Sequence, residues 1–216
     1  MYITTNGIIL KNINYKETSV ISRIFTEHYG KISIIFKGAK RKNSNISSLI
    51  GLSNVVNLTY YSHSKSNLKT SKEVSIVDYY SNAHKVLSNY YYNMAIISLI
   101  DKLCHEDYAQ INLYNTIINS MKLIDLNQYS SDIIFLHFLL NLNTSLGFKI
   151  SSDNLEINTL LNDIEGNFNF IKKMYYNNKD NKELINKIKI LVYKSMKYNL
   201  IDLNDIYAMQ MIKRIK

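Results

Sequence analysis

Between Lys31 and Lys37 the chain alternates, with Ile32, Ile34 and Phe36 on one side and Lys31, Ser33, Ile35 and Lys37 on the other. A period of two over this length reads as a half-buried strand. Similar runs precede it. Gly7-Ile8-Ile9-Leu10 opens one strand, Val20 to Thr26 forms a second, and Tyr29-Gly30 is the turn into the third. Farther on, Val56, Leu58 and Tyr60 alternate against Asn57, Thr59 and Tyr61. After the polar stretch SHSKSN, Val74 and Ile76 share a face. Five short strands within residues 1–81 predict a small antiparallel barrel. A five-stranded OB-fold is the leading expectation, and an SH3-like barrel would leave a similar pattern.

The period changes after Ser81-Asn82, either of which can cap a helix. Ala83, Val86, Leu87, Tyr90, Met94, Ile97, Ile100 and Cys104 recur at three and four, the spacing of an amphipathic helix. A second helix is expected from Ile111 to about Asp125. A third, Ser131 to Leu146, is apolar on nearly every side and should sit at the centre of its domain, with Gly147 suited to its C-terminal cap. Residues 150–182 are Asn-rich and weakly periodic, enough for one or two short helices, and Asn177 to Asn181 reads as a loop. Leu184 to Met196 is amphipathic again, and Asn204 is placed to cap a last helix through Ile206, Met209 and Ile212. The fold class expected is therefore α+β. A barrel at 1–81 precedes a helical domain at 82–216.

Composition adds a charge argument and a warning about it. The chain has 216 residues and a net charge of +9, with 23 Lys, 3 Arg, no proline and no tryptophan. Average usage would give about ten prolines. The skew is that of A/T-rich codons, so part of the lysine excess is background. Its distribution is uneven: residues 1–81 carry a net of +7 and residues 82–216 a net of +2. Within the first part, Lys37-Gly38-Ala39-Lys40-Arg41-Lys42 ends a strand in a run of cations prolonged by Asn43, Ser44 and Asn45. A basic loop anchored on a strand suits phosphate, because its cations displace condensed counterions. A single cysteine, Cys104, excludes an internal disulfide framework. No signal-peptide pattern is seen at the N-terminus, and no apolar run approaches the roughly eighteen residues of a spanning helix. A cytoplasmic protein without a membrane segment is expected.

Enzyme motifs are not found. Cys104-His105-Glu106-Asp107 offers four ligand types, but adjacent residues cannot converge on one ion and no spaced partner motif exists, so the stretch reads as a helix terminus. His137 reads as a packed core histidine; His28 and His63 sit in turn-like segments. Gly38-Ala39-Lys40 is too short for a nucleotide-binding loop. The Tyr60-Tyr61, Tyr79-Tyr80, Tyr90-Tyr91-Tyr92 and Tyr175-Tyr176 clusters suit core packing, and Tyr61, opposite Leu58, is the candidate for stacking on an unpaired base. Catalytic, metal and cofactor sites are all expected to be absent.

The order of these pieces resembles the RecO family of recombination mediators. The motifs are Gly7-Ile8-Ile9-Leu10, Glu17-Thr18, Phe25-Thr26, Gly30-Lys31 and Lys37-Gly38-Ala39-Lys40-Arg41, followed by Tyr108–Ile117 and Leu146-Gly147-Phe148. The resemblance implies an N-terminal OB-fold and a C-terminal helical domain. It also implies binding to single- and double-stranded DNA, annealing of complementary strands, and help in loading RecA recombinase onto DNA coated by single-strand-binding protein. The implied partners are RecR and the acidic, hydrophobic C-terminal tail of that coating protein, in a bacterial, nucleoid-associated setting. Many members carry a four-cysteine zinc site after the Leu-Gly-Phe position; residues 149–182 here contain no cysteine, so no zinc is expected. The family's basic loop usually continues with more cations where this chain has Asn43, Ser44 and Asn45, which points to weaker DNA binding or to a supply from Lys65, Lys69 and Lys72.

The expected DNA-binding residues are Lys37, Lys40, Arg41 and Lys42, with Lys11, Lys16, Arg23 and Tyr61 as further contributors. Lys213, Arg214 and Lys216 could hold an acidic tail. Two other classes stay open at this point: an OB-fold RNA-binding protein, and a protein-interaction scaffold whose charge is compositional.

Overall fold

The computed structural model describes residues 1–62, 68–148, 150–153, 157, 158, 161 and 182–215. His63, Lys65, Lys216, the loop expected at Asn177–Asn181 and most of the Asn-rich stretch lie outside these residues. The elements are β1 (Tyr2–Tyr15), β2 (Ser19–Thr26), β3 (Gly30–Phe36), α1 (Ile46–Leu49), β4 (Val55–Tyr61), β5 (Leu68–Asp78), α2 (Leu87–Leu103), α3 (Ile111–Leu126), α4 (Ser131–Ser145), α5 (Lys182–Asn199) and α6 (Tyr207–Ile215). Single 3₁₀ turns at Ala83–Lys85 and Leu203–Asp205 precede α2 and α6.

The five strands close into a barrel in the order β1-β2-β3-β5-β4. All neighbours are antiparallel except β3 and β5, which run parallel through Ser33–Leu68, Ile34–Lys69 and Ile35–Thr70. This is an OB-like barrel, with α1 between β3 and β4. Its interior is filled by Ile9, Val20, Ile24, Ile32, Ile34, Phe36, Val56, Leu58 and Tyr60, with Ala39 and Ile50 closing it from the loops. The alternations in β3 and β4 point their apolar sets inward, as the sequence predicts.

Three strands differ from expectation. β1 runs from Tyr2 to Tyr15 rather than starting at Gly7, with a bulge between Ile9 and Lys11; its outer residues are polar because they form a hairpin arm with β2. β5 is likewise longer than the Val74–Ile76 run, and it carries two register shifts against β4. Val74 packs on the core while Ile76 is exposed, so the two do not share a buried face. Third, β3 is buried on both sides rather than one, with Lys31 at 7% exposure and Ile35 at 8%.

The cover over Lys31 comes from later in the chain. Two compact units are present, Met1–Ser81 with Ile97–Tyr114, and Asn82–Ile96 with Asn115–Lys216. The end of α2 and the loop after it thus belong to the barrel's unit. Lys31 Nζ donates to the Asp101 carbonyl at 2.7 Å, in the last turn of α2, where a cation meets unpaired carbonyls and the negative end of the helix dipole. The Asp107 N–H donates to the Lys31 carbonyl at 3.0 Å, and Phe25 stacks on Tyr114 with ring centroids 6.5 Å apart. Gly30 has φ +65°, and a Cβ there would stand 2.3 Å from the Tyr108 carbonyl oxygen. This division also corrects the charge argument. The barrel's unit holds 12 Lys+Arg against 7 Asp+Glu, a net of +5, and the other unit 14 against 10, a net of +4. The contrast between 1–81 and 82–216 does not persist between the units as folded.

In the second unit, α4 is buried on nearly every side, from Ser131 and Ile133 to Leu142 and Asn143. It ends as Gly147 predicts: the Gly147 N–H reaches the Thr144 carbonyl and the Phe148 N–H the Asn143 carbonyl, at 3.0 and 2.8 Å. The first helix starts later than Ala83. Ala83–Lys85 is a separate turn, capped by Asp125, whose Oδ1 accepts from the N–H groups of Asn82 and Ala83 at 2.8 Å. Val86 and Leu87 are consequently exposed. At the other end Asp202, not Asn204, is the cap, and α6 begins at Tyr207. Among the described residues no helix is long and apolar enough to cross a membrane.

His137 sits in α4 beside Asn141, and burial lowers its pKa to about 4. The unfolded chain protonates this ring near pH 6.5, so stability is complete above that pH and is lost as the pH falls toward 4. Between pH 7 and pH 5 the contribution is about 2 kcal/mol. Urea unfolding at both pH values should show this loss reduced in a His137→Gln variant; an unchanged pH dependence would rule His137 out as its source.

Candidate nucleic-acid interface

The loop from Lys37 to Asn45 is held by its backbone, which frees its side chains. Gly38 takes φ +70°, open to glycine at little cost, and lets the chain leave β3 sharply. Ala39 is fully buried, and its carbonyl accepts from Ser47 Oγ at 2.6 Å. The Lys40 N–H donates to the Thr18 carbonyl at 2.9 Å, tying the loop to the β1–β2 turn. Turn bonds from Arg41 to Gly38 and from Ser44 to Arg41 complete it. Lys37, Lys40, Arg41 and Lys42 are exposed, as is Lys16 in the turn to which the loop is tied. These five cations are brought together at one end of the barrel, and none takes part in an ion pair among the described residues. The arrangement is a fixed electropositive edge.

Other expected residues are placed elsewhere. Lys11 is exposed on β1, in register with Arg23 and, through it, with Ser33. Arg23 itself is committed, its Nη2 2.7 Å from Asp101 Oδ2 with both side chains largely shielded. Lys69 is similarly engaged: it is buried, with Nζ 3.1 Å from Asp107 Oδ1. Arg23, Lys31 and Lys69 are all held by the stretch Asp101–Asp107, so three cations of the basic N-terminal sequence serve the barrel's own packing. Cys104-His105-Glu106-Asp107 does lie at a helix terminus, and Cys104 is a buried thiol pushed up to about 11 by desolvation. No group of metal-ligating residues occurs among the described residues. One cysteine in the whole chain cannot supply a four-thiolate site.

Tyr61 faces outward, as its alternation with Leu58 requires, and meets Tyr2 edge to face with centroids 5.3 Å apart. Tyr2 and Lys72 are the neighbours that sequence reasoning did not connect with it. Lys72 stands at the bulge where Thr59–Tyr60 opposes Glu73–Ser71, and its Nζ lies 5.0 Å from the Tyr2 ring centroid. A groove of about 320 Å³ runs between Phe36, Lys37, Ile46 and Leu49 on one side and Ser71–Val74 of β5 on the other. It connects Lys72 to the first cation of the loop.

The second unit holds a larger groove, about 560 Å³, between α5 and residues 202–213. Ile190, Tyr193, Leu203 and Met209 supply its apolar lining, and Lys189, Lys194, Lys197 and Lys213 its charge. Lys197 pairs with Asp202 at 2.9 Å, Lys189 with Asp132, and Lys213 bonds Asn204.

Residues 1–80 match the family described as recombination protein O, N terminal, and residues 84–155 the corresponding C-terminal family. Curated relatives carry the name DNA repair protein RecO. One from Chlorobium limicola is 23% identical over 71% of this chain and 59% of its own length. Another from Clostridium perfringens is 29% identical over 70% and 61%, and one from Thermoanaerobacter is 28% identical over 70% and 60%. The chain thus spans about 60% of the length of these relatives. With a closed five-stranded barrel, the basic loop at the end of β3, and both family matches in the expected order, the chain belongs to the RecO family.

Proposed function

We propose that this chain acts in DNA repair and recombination as a non-catalytic mediator that binds single- and double-stranded DNA. The observation that carries the reading is the loop at Lys37–Lys42, where backbone bonds to Thr18 and a buried Ala39 hold four exposed cations in place. Phosphate contacts of this kind hold no sequence information, so binding is sequence-tolerant and salt-dependent. Annealing follows without bond chemistry, since neutralising two strands lowers their repulsion and raises their local concentration. The groove between α5 and residues 202–213 combines apolar lining with lysines, which suits the acidic, hydrophobic tail of single-strand-binding protein. Cooperation with RecR, assistance to RecA recombinase on coated DNA, and residence with the nucleoid in the bacterial cytoplasm complete the proposal.

The test is annealing of two complementary labelled oligonucleotides, followed by energy transfer across a salt series. The protein should accelerate annealing by roughly tenfold or more at low salt, and the gain should fade as salt rises. Matched RNA should compete no better than DNA. Preferential displacement by RNA would favour contacts to the 2′-hydroxyl and an RNA-binding role instead.

A further inference from the structure

We infer that Tyr2 and Tyr61, with Lys72, form a stacking platform for unpaired bases that continues the phosphate-binding loop along the barrel wall. The inference rests on the DNA-binding reading above and gives it a strand preference.

The platform is built by register. Tyr2 and Tyr61 are directly opposed across the β1–β4 ladder, and both face away from the core, since Ile3 and Tyr60 take the inner positions. Tyr2 is 58% exposed, so part of its ring is open to solvent beside its neighbours. The edge-to-face contact with Tyr61 fixes one ring against the other and leaves ring surface toward solvent. The bulge in β5 then directs Lys72 over the same ring. An ammonium standing over a partly exposed ring pairs a site for a phosphate with a site for a base on the ring surface it leaves open, the combination that single-strand-binding surfaces use.

Continuity gives the direction of the strand. Lys72 lines the groove that Lys37 also lines, and Lys37 begins the loop of Lys40, Arg41 and Lys42. A single strand held by the loop can pass along this groove with phosphates near Lys37 and Lys72 and reach the two rings with its bases turned inward. Duplex DNA keeps its bases stacked and offers the rings nothing, so it gains only the phosphate contacts. Glu73 sets a condition on this path. Its carboxylate lies 3.4 Å from Lys72 Nζ on the exposed surface, and a phosphate must displace it. Such exposed pairs are weak, so the exchange costs little.

The test compares fluorescence anisotropy of a labelled oligothymidine, an abasic oligonucleotide with the same number of phosphates, and a duplex. The wild type should bind oligothymidine more tightly than the abasic strand. Tyr2→Ala/Tyr61→Ala should weaken oligothymidine binding roughly tenfold and leave the abasic strand and the duplex unchanged. Tyr2→Phe/Tyr61→Phe, which keeps both rings, should restore the wild-type value. An oligothymidine carrying 5-iododeoxyuridine should cross-link on illumination to the peptide Met1–Lys11 or to the one containing Tyr61. Equal binding of oligothymidine and abasic strand by the wild type, or no loss in the alanine variant, would overturn the platform while the phosphate reading stands. Failure of the wild type to bind any of the three would overturn both. A loss of duplex binding equal to that of oligothymidine would also overturn the platform.

Discussion

Replacing Lys37, Lys40, Arg41 and Lys42 together by Ala should weaken binding to single-stranded DNA by about a hundredfold at low salt, and should flatten its salt dependence. Each phosphate neutralised on a single strand contributes about −0.7 to the slope of log K against log salt, so four lost contacts remove nearly 3. The four side chains are exposed and the loop is held by backbone bonds from Lys40, Arg41 and Ser44, none of which uses a side chain that the variant removes. Folding stability should therefore move by no more than about 0.5 kcal/mol. Arg23→Ala is the matching control. Its guanidinium is paired with Asp101 in a shielded position, so that variant should lose stability and keep the slope. Anisotropy over a salt series, with urea unfolding of each variant, reads both quantities. If the fourfold variant keeps the wild-type slope, the loop is a solvated edge and DNA binds elsewhere.

Gly30→Ala should be the most damaging alanine substitution at any glycine of the barrel, costing more than about 3 kcal/mol and lowering the Tm by roughly 10 °C. Two effects add. A side chain at φ +65° pays the left-handed penalty, of order 1 kcal/mol. The new Cβ also meets the nitrogen, carbonyl carbon and oxygen of Tyr108 at 2.6, 2.5 and 2.3 Å, all of them backbone atoms. Relief requires the 104–110 loop to move off the barrel, which pulls Asp107 from both the Lys31 carbonyl and Lys69 Nζ. Gly38→Ala shares the positive φ, but its Cβ meets only the movable end of Arg41 at 3.3 Å. It should cost about 1 kcal/mol. Thermal unfolding of the two variants separates the effects, and equal losses would mean that contact with Tyr108 contributes nothing.

The contrast between these glycines shows what the sequence could tell. Turn chemistry and alternation are local, and they gave the direction of the side chains in β3 and β4, the glycine turns at Gly30 and Gly38, and the all-round burial of α4. They could not give the reach of β1, whose residues 11–15 are polar and are held as a strand by pairing with β2. Nor could they show that Lys31 and Lys69 are buried. Each is an ordinary exposed lysine by its neighbours in sequence, and it is the 101–108 stretch, brought from beyond β5, that covers them and supplies their partners at Asp101 and Asp107. The same holds for the candidate interface. The loop was legible because its cations are contiguous. Lys72 beside Tyr2 depends on a bulge and on the register of three strands, neither of which leaves a mark in the order of residues.

That the barrel's unit is completed by Ile97–Tyr114 has a consequence for how the protein is made. Translation delivers all five strands before the segment that supplies Asp101, Asp107 and the end of α2. When only the first 81 residues have left the ribosome, Arg23, Lys31 and Lys69 still lack their carboxylates and helix end. For that interval the emerged part carries a net charge of +7, against +5 for the completed unit, next to the polyanion of the ribosome. Closure of the 97–114 segment is thus the step at which Arg23, Lys31 and Lys69 are withdrawn from general attraction to polyanions, while the loop's cations stay exposed.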